Sequence, residues 1–298
     1  MIIEPLRASD REPPAFDVAA GAAAWYGSDG RPVAYSFVRG EECWFRLVGL
    51  ASYVFPLNAA DGVLRCEAVP DPGAEWTEVV DHYYRSLSVI AMEAYGFETL
   101  HGSALRTPAG ALVLTAPSRM GKTTLALALA RRGHELVADD AVVVEVSPAA
   151  DPGRPALRTL PFVPRAREET AAIFGLPVRA RVQEPGVPVR LGPPVPLAAF
   201  VVLARSRDEE CGEVSLERLP PTQAYTALLA RAYFHAPHEA TRDRQTVAAY
   251  LRLVSRVPVY LFRYPSSLDR LEEPVSVLDA LVAELAPAPE PVGSGAKP

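Results

Sequence analysis

The stretch A-P-S-R-M-G-K-T, Ala116 to Thr123, stands between an apolar run, A-L-V-L-T, and an Ala/Leu-rich segment, T-T-L-A-L-A-L-A-R-R. A strand, a glycine-containing turn and a helix in that order constrain a chain strongly. The helix has to fold back over the strand that precedes it, and the turn's backbone N–H groups then face one concavity at the positive end of the helix dipole. A polyphosphate is the ligand such a cradle matches. Lys122 adds a full positive charge, and Gly121 lets the main chain approach a phosphate with no side chain in the way. Thr123 offers a hydroxyl to a Mg2+ ion that also touches the β- and γ-phosphates. The expected contacts to ATP are Ala116, Pro117, Ser118, Arg119, Met120, Gly121, Lys122, Thr123 and Thr124, with Lys122 also acting in catalysis. Ala116 occupies the place where the pattern G-x-x-x-x-G-K-[ST] begins with glycine.

The segment after the turn ends at Gly133, with Arg131 and Arg132 in its last turn, as a helix dipole and a glycine stop require. E-L-V-A-D-D follows and is expected to return alongside A-L-V-L-T. It brings Asp139 and Asp140 to a strand end near the phosphate turn, where sites in α/β sheets lie. One carboxylate can hold magnesium and the other can accept the proton of an attacking hydroxyl. Neighbouring strand residues face opposite ways, so the strand must end there if both are to serve one site.

Elsewhere the pattern alternates. Short strands with turn signals between them run from about 32 to 70 (V-A-Y-S-F-V, C-W-F-R-L-V-G-L-A-S-Y-V-F-P-L, V-L-R-C-E-A-V) and read as a small antiparallel sheet. Residues 74–96 carry apolar side chains at helical spacing up to Gly96. From 100 onward strands and helices alternate, which argues an α/β core. Helices are expected at 122–132, 221–234, 241–256 and 274–285, and strands at 197–206 and over V-P-V-Y-L-F-R-Y. Residues 147–196 are rich in proline and arginine and read as loops broken by A-R-E-E-T-A-A-I-F-G-L. The resulting organisation is a mostly β domain over 1–73, a connecting helix over 74–98, a P-loop domain over 99–285 and a disordered tail over 286–298.

Charge and cysteine usage exclude several classes. With 30 Lys and Arg against 36 Asp and Glu, the net charge is −6 and the basic residues form no stripe, so neither nucleic acid nor an anionic membrane is an expected partner. Cys43, Cys66 and Cys211 lie far apart and imply neither a disulfide framework nor a zinc knuckle. The N-terminus lacks the basic start and apolar run of a signal peptide, and no stretch reaches the roughly 18 apolar residues of a membrane span. A cytoplasmic location is the expectation.

H-G-S-A-L-R-T-P-A-G-A-L-V-L-T-A-P-S-R-M-G-K-T-T-L-A-L-A-L-A-R-R-G-H-E-L-V-A-D-D-A-V-V-V-E, residues 101–145, resembles the core of the HPr kinase/phosphorylase family. The points of likeness are a His-Gly strand, a phosphate loop, a short helix, then R-G-H-x-L-V-A-D-D directly after it. Toward the C-terminus, P-L-A-A-F-V-V-L-A-R-S to Y-L-F-R-Y-P is similar in general pattern to the shorter HPr-kinase-like proteins of bacterial biosynthetic clusters, including those that phosphorylate lasso-peptide precursors. The resemblance implies a fold akin to phosphoenolpyruvate carboxykinase and ATP-dependent phosphorylation of a Ser/Thr hydroxyl on a peptide or small protein. It implies that Lys122 and Thr123 hold phosphates and magnesium, that Asp139 takes the hydroxyl proton, and that Asp140 helps the metal, with an exchange of those two roles left open. The turn uses A-P-S-R-M where the family has a glycine-aspartate-serine-glycine-rich start, and the family's later glycine-rich signature has no clear copy, so phosphorolysis is not expected. By the same analogy the N-terminal sheet either recognises the acceptor or joins copies of the chain into a homo-oligomer.

Several side residues carry weaker signals. Arg158, Arg165 and Arg167, in L-R-T-L-P-F-V-P-R-A-R, lie where the acceptor region should be and are candidates for the γ-phosphate or an acidic peptide. His101 either orients Asp139 or is a buried histidine bonded to a carbonyl. His134 is expected to cap the carbonyls of the preceding helix. His235 and His238 have metal-like spacing with Pro237 between them and read as a surface loop. Two rival functions share the phosphate turn: a small-molecule hydroxyl kinase, and a non-catalytic ATP-binding regulator or scaffold in which the aspartates are idle.

Overall fold

The computed structural model describes all residues other than 17, 19–21, 58–60, 147–152, 165, 167, 177–187, 206–212, 234–239, 266 and 288–298. Arg165, Arg167, Cys211, His235, His238 and the tail from 288 therefore lie outside the described residues. The fold is mixed α/β, with a six-stranded, an eight-stranded and a three-stranded sheet.

The six-stranded sheet is built from Arg7–Ala8, Ala23–Tyr26, Pro32–Arg39, Glu42–Leu47, Ala51–Pro56 and Glu67–Pro70. Consecutive strands from Ala23 to Pro56 pair antiparallel, as short turns dictate. One face packs on the helical segment Trp76–Ala94, which is interrupted by a wide turn at Tyr83–Leu87. Tyr53, Phe55, Val79, Tyr83 and Leu87 fill this interface and are almost fully buried. Tyr53 would be costly there without a partner, and its hydroxyl donates to the Val79 carbonyl at 3.0 Å. The Cys43 and Cys66 thiols are buried in the same core, and burial pushes Cys43 up to about 12.

The eight-stranded sheet centres on two long strands, Glu98–Thr107 and Val195–Arg205. Gly110–Thr115 forms a hairpin with the first and pairs parallel with the second. Gly110, at φ 115° and with a Cβ position only 2.4 Å from the Pro196 carbonyl oxygen, is required for that close approach. Val259–Tyr264 continues the sheet in parallel, and Ser215–Arg218 closes that edge antiparallel. On the other side Ala141–Glu145 pairs with Glu98–Thr107, Ala156–Arg158 pairs with Ala141–Glu145, and Ala156–Leu157 returns to Val195–Pro196, so the hydrogen-bonded path closes on itself.

The partner along one edge of Glu98–Thr107 changes midway. Glu135–Ala138 pairs with Ala104–Arg106, and Ala141–Val144 pairs with Glu98–His101. Asp139 and Asp140 occupy the gap, opposite Gly102 and Ser103. The expectation that E-L-V-A-D-D runs beside A-L-V-L-T is therefore corrected: its apolar residues fit against the other strand of the hairpin, and the parallel place beside Gly110–Thr115 belongs to Val195–Arg205.

Lys122–Arg131 packs on one sheet face with Glu272–Leu285, through Leu125, Leu129, Leu278 and Leu281. Pro221–Leu229 and Ala240–Arg256 cover the other, where Leu228, Tyr250 and Leu253 meet Leu100 and Phe200. The helix expected over 221–234 stops at Leu229, and the loop-rich region also contains the short helix Glu168–Phe174. His134 does not cap its helix with its side chain; Nε2 lies 2.8 Å from Asp279 Oδ1, an acid on the neighbouring C-terminal helix. That hydrogen bond, with help from Arg132, holds the Asp279 carboxyl below its ordinary value.

Candidate functional site

Gly110–Thr115 feeds a turn that opens the helix Lys122–Arg131. Arg119 at φ 70° and Gly121 at φ 85° are both left-handed, which curls the turn's backbone into a concavity. Gly121 is required twice over, since a Cβ there would sit 2.6 Å from the Tyr264 hydroxyl, which itself donates to the Met120 carbonyl at 2.5 Å. No side chain caps the helix start. A cleft of about 650 Å³ opens over it, lined by Arg119, Lys122, Thr123, Thr124, Thr170 and Arg205 among others. Thr124 meets Thr170 at 3.1 Å across its wall.

Lys122 is buried and folded back on the turn. Its ammonium donates to the carbonyls of Ala116 at 3.1 Å and Pro117 at 3.2 Å, and to His101 Nε2 at 2.8 Å. With Nε2 accepting, the imidazole carries its proton on Nδ1, which faces the Asp140 carbonyl and the Tyr233 hydroxyl, both at 2.9 Å. Tyr233 donates in turn to the Asp140 carbonyl at 3.1 Å. Ser118 Oγ approaches Nε2 at 3.4 Å. Burial, and then the Lys122 charge, hold His101 below its ordinary value, so the ring is neutral. Burial pulls Lys122 down to about 8, against the opposing pull of Asp140 and Asp139.

The two aspartates differ sharply. Asp139 is buried; its Oδ1 accepts from Ser103 Oγ at 2.5 Å and Thr123 Oγ1 at 2.9 Å, and Oδ2 lies 3.2 Å from the same threonine. Asp140 follows the end of the strand at φ 70°, and its side chain, 41% exposed, has Oδ1 3.5 Å from His101 Nδ1. This left-handed residue answers the parity problem of adjacent strand positions, because the strand stops at Ala138 and the next two side chains turn toward one region.

Arg158 does not line the cleft over the Ala116–Thr124 turn. Its Nε donates to Glu145 Oε2 at 2.7 Å, and it lines a second groove together with Asp139 and Asp140. Of the two readings offered for His101, its geometry matches the second: it is bonded to a carbonyl, that of Asp140, and its other ring nitrogen meets Lys122. Ser103 and Tyr233 are site residues that sequence reasoning missed. Ser103 was within reach by strand parity, since it shares a face with His101 two residues earlier. Tyr233 arrives through an isolated bridge between Leu100 and Ala232, for which no local signal exists.

The oxygens of Thr123, Asp139 and Asp140 are hard donors of the kind Mg2+ takes, and too few to cage it. Among the described residues no group of three or more His, Cys, Asp or Glu could hold a metal ion. The set therefore fits an ion that completes its shell with phosphate oxygens and water.

No family model matches the chain, and neither does any curated protein. Among solved structures, the chain is similar to the HPr(Ser) kinase/phosphatase from Coxiella burnetii, with 13% identity and a TM-score of 0.31 over 63% of this chain and 92% of that one. Among the described residues no helix is long and apolar enough to cross a membrane.

Proposed function

We propose that the chain is an ATP-dependent kinase that transfers the γ-phosphoryl group to a Ser/Thr hydroxyl of a peptide or small protein. The observation that carries this reading is the contact between Thr123 and Asp139 at 2.9 Å, which joins the phosphate turn to the acid pair. Lys122 and the backbone of Arg119–Thr124 would hold the triphosphate. Thr123 and Asp139 would hold Mg2+, which neutralises charge on the phosphates when bound.

In the transfer, the acceptor oxygen forms a bond to the γ-phosphorus while the bond from that phosphorus to the β–γ bridging oxygen breaks. ADP leaves with that electron pair, and the hydroxyl proton passes to a carboxylate. Asp140 suits this last role better than Asp139, the reverse of the order the family resemblance implies. Asp139 is buried and already accepts two hydroxyl hydrogen bonds, whereas Asp140 is the carboxylate an incoming hydroxyl can reach. His101, neutral and fixed by Tyr233, holds Lys122 in place and steadies the Asp140 backbone.

The test is mass spectrometry of serine- and threonine-containing peptides incubated with the protein and Mg-ATP. A gain of one phosphate that disappears in Asp140→Asn is expected. Phosphorylation of free alcohols alone would favour a small-molecule kinase. Nucleotide binding without transfer to any hydroxyl would leave a regulator or scaffold.

A further inference from the structure

A second groove, of about 480 Å³, is lined by the acid pair and by no residue of the phosphate turn. One wall is the helical segment carrying Tyr84, Arg85 and Val89, and the other is Leu160–Val163 with Arg158 at its start. Asp139 and Asp140 close its end. Thr123 and Asp139 are the meeting point of the groove and the nucleotide cleft. In-line transfer places attacking and leaving oxygens on opposite sides of phosphorus, and a groove that reaches the acid pair without sharing the lining of the nucleotide cleft gives the acceptor an approach of its own.

We propose that this groove is the acceptor subsite and that its occupant is an extended peptide with an apolar residue beside the reacting serine or threonine. The inference rests on the kinase reading and assigns its substrate class. Three chemistries in the groove match three parts of such a peptide. The carboxylates take the hydroxyl. Val89 on one wall and Leu160, Phe162 and Val163 on the other give an apolar lining for the neighbouring side chain. Arg85 and Arg158, anchored by Asp81 and Glu145 through their Nε groups at 2.5 and 2.7 Å, place guanidinium groups where peptide carbonyls need donors. A polyol fits poorly, because hydroxyls pressed against that apolar lining would lose their hydrogen bonds to water without replacement. The groove's own charges, two arginines against two aspartates, favour no strongly charged flank.

The experiment uses the full chain and two sets of fluorescein-labelled serine hexapeptides, one with Leu and one with Asp beside the serine. Binding is read by anisotropy without nucleotide, and transfer by mass spectrometry with Mg-ATP. Leu-flanked peptides should be preferred by roughly tenfold or more in both assays. Phe162→Ala should erase that preference by raising KM for the Leu-flanked set, with ATP affinity unchanged. Val163→Lys, at a half-buried groove position, should move the preference toward the Asp-flanked set. Preference for Leu that survives both substitutions overturns the subsite, as does equal use of free serine or a sugar. Leu-selective binding that is lost in Phe162→Ala, with no phosphate transferred by the wild type, supports the groove and sinks the kinase reading instead.

Discussion

The hydroxyl of Thr123 lies 2.9 Å from the carboxylate of Asp139, across 16 residues of sequence, and this contact links the phosphate turn to the acid pair. Removing either end should act on the metal rather than on the fold. Thr123→Val should weaken Mg-ATP binding while leaving metal-free ATP binding close to the wild-type value, which isothermal titration with and without magnesium can separate. Equal losses in both titrations would show that the contact only supports the turn.

Asp140→Asn keeps the shape of the side chain and removes its basicity. The expected outcome is a fall in kcat of about 10²- to 10⁴-fold with ATP affinity retained. Asp139→Asn, by contrast, should raise the magnesium concentration needed for half-maximal rate. If Asp139→Asn lowers kcat at saturating magnesium and Asp140→Asn does not, the two roles are the other way round.

Lys122 titrates at about 8 in the folded chain, down from the ordinary 10.5. A bound triphosphate favours the charged amine and raises it again, so ATP affinity should be greatest below pH 8. It should fall above that by up to about tenfold per pH unit. Lys122→Met should bind weakly and with little pH dependence. The sign for stability is opposite. Between about pH 8 and 10.5 the unfolded chain holds the extra proton, so the ligand-free protein gains stability as pH rises through this window. Urea midpoints of wild type and Lys122→Met, compared from pH 7 to 10.5, should converge across it.

Gly121→Ala combines a left-handed φ with a Cβ only 2.6 Å from the Tyr264 hydroxyl. Strain of the backbone alone should cost about 1–2 kcal/mol. The double variant with Tyr264→Phe relieves the hydroxyl clash and should recover part of the loss, never all of it. Denaturant unfolding of the two variants measures both parts, and full recovery would mean that the turn can leave its left-handed conformation freely.

Phe200, fully buried in the central strand, touches the core beneath Pro221–Leu229 and Ala240–Arg256. Phe200→Ala should destabilise by about 3–5 kcal/mol, visible as a lowered urea midpoint with an unchanged slope. A loss under 1 kcal/mol would indicate that the two helices close over the cavity.

The strand–turn–helix of residues 110–131 and the acid pair were legible because their signals are local: an apolar run, a glycine that must be left-handed, and a polar pair ending a strand. The helix over 76–94 was legible from its spacing for the same reason. Strand partnership was not. Whether Glu135–Ala138 lies beside Gly110–Thr115 or beside Glu98–Thr107 depends on contacts far apart in the chain, and Val195–Arg205, some 80 residues on, takes the parallel place. The groove beside Asp140 joins residues near 85, 140 and 160, so its shape has no signature in any one segment. His134 misled for a related reason, since its partner Asp279 is 145 residues distant.

The change of partner along Glu98–Thr107 makes the Asp139–Asp140 jog a matter of counting. Its length sets the pairing frame of both flanking segments at once, Leu136 against Leu105 on one side and Val142 against Leu100 on the other. Inserting or deleting a single residue there would force one segment to slide by one position, exchanging side chains between two cores, since Val142 and Val144 pack into one and Val143 into the other. Single substitutions in the jog are therefore questions about chemistry, whereas a one-residue indel is a question about whether the sheet forms at all.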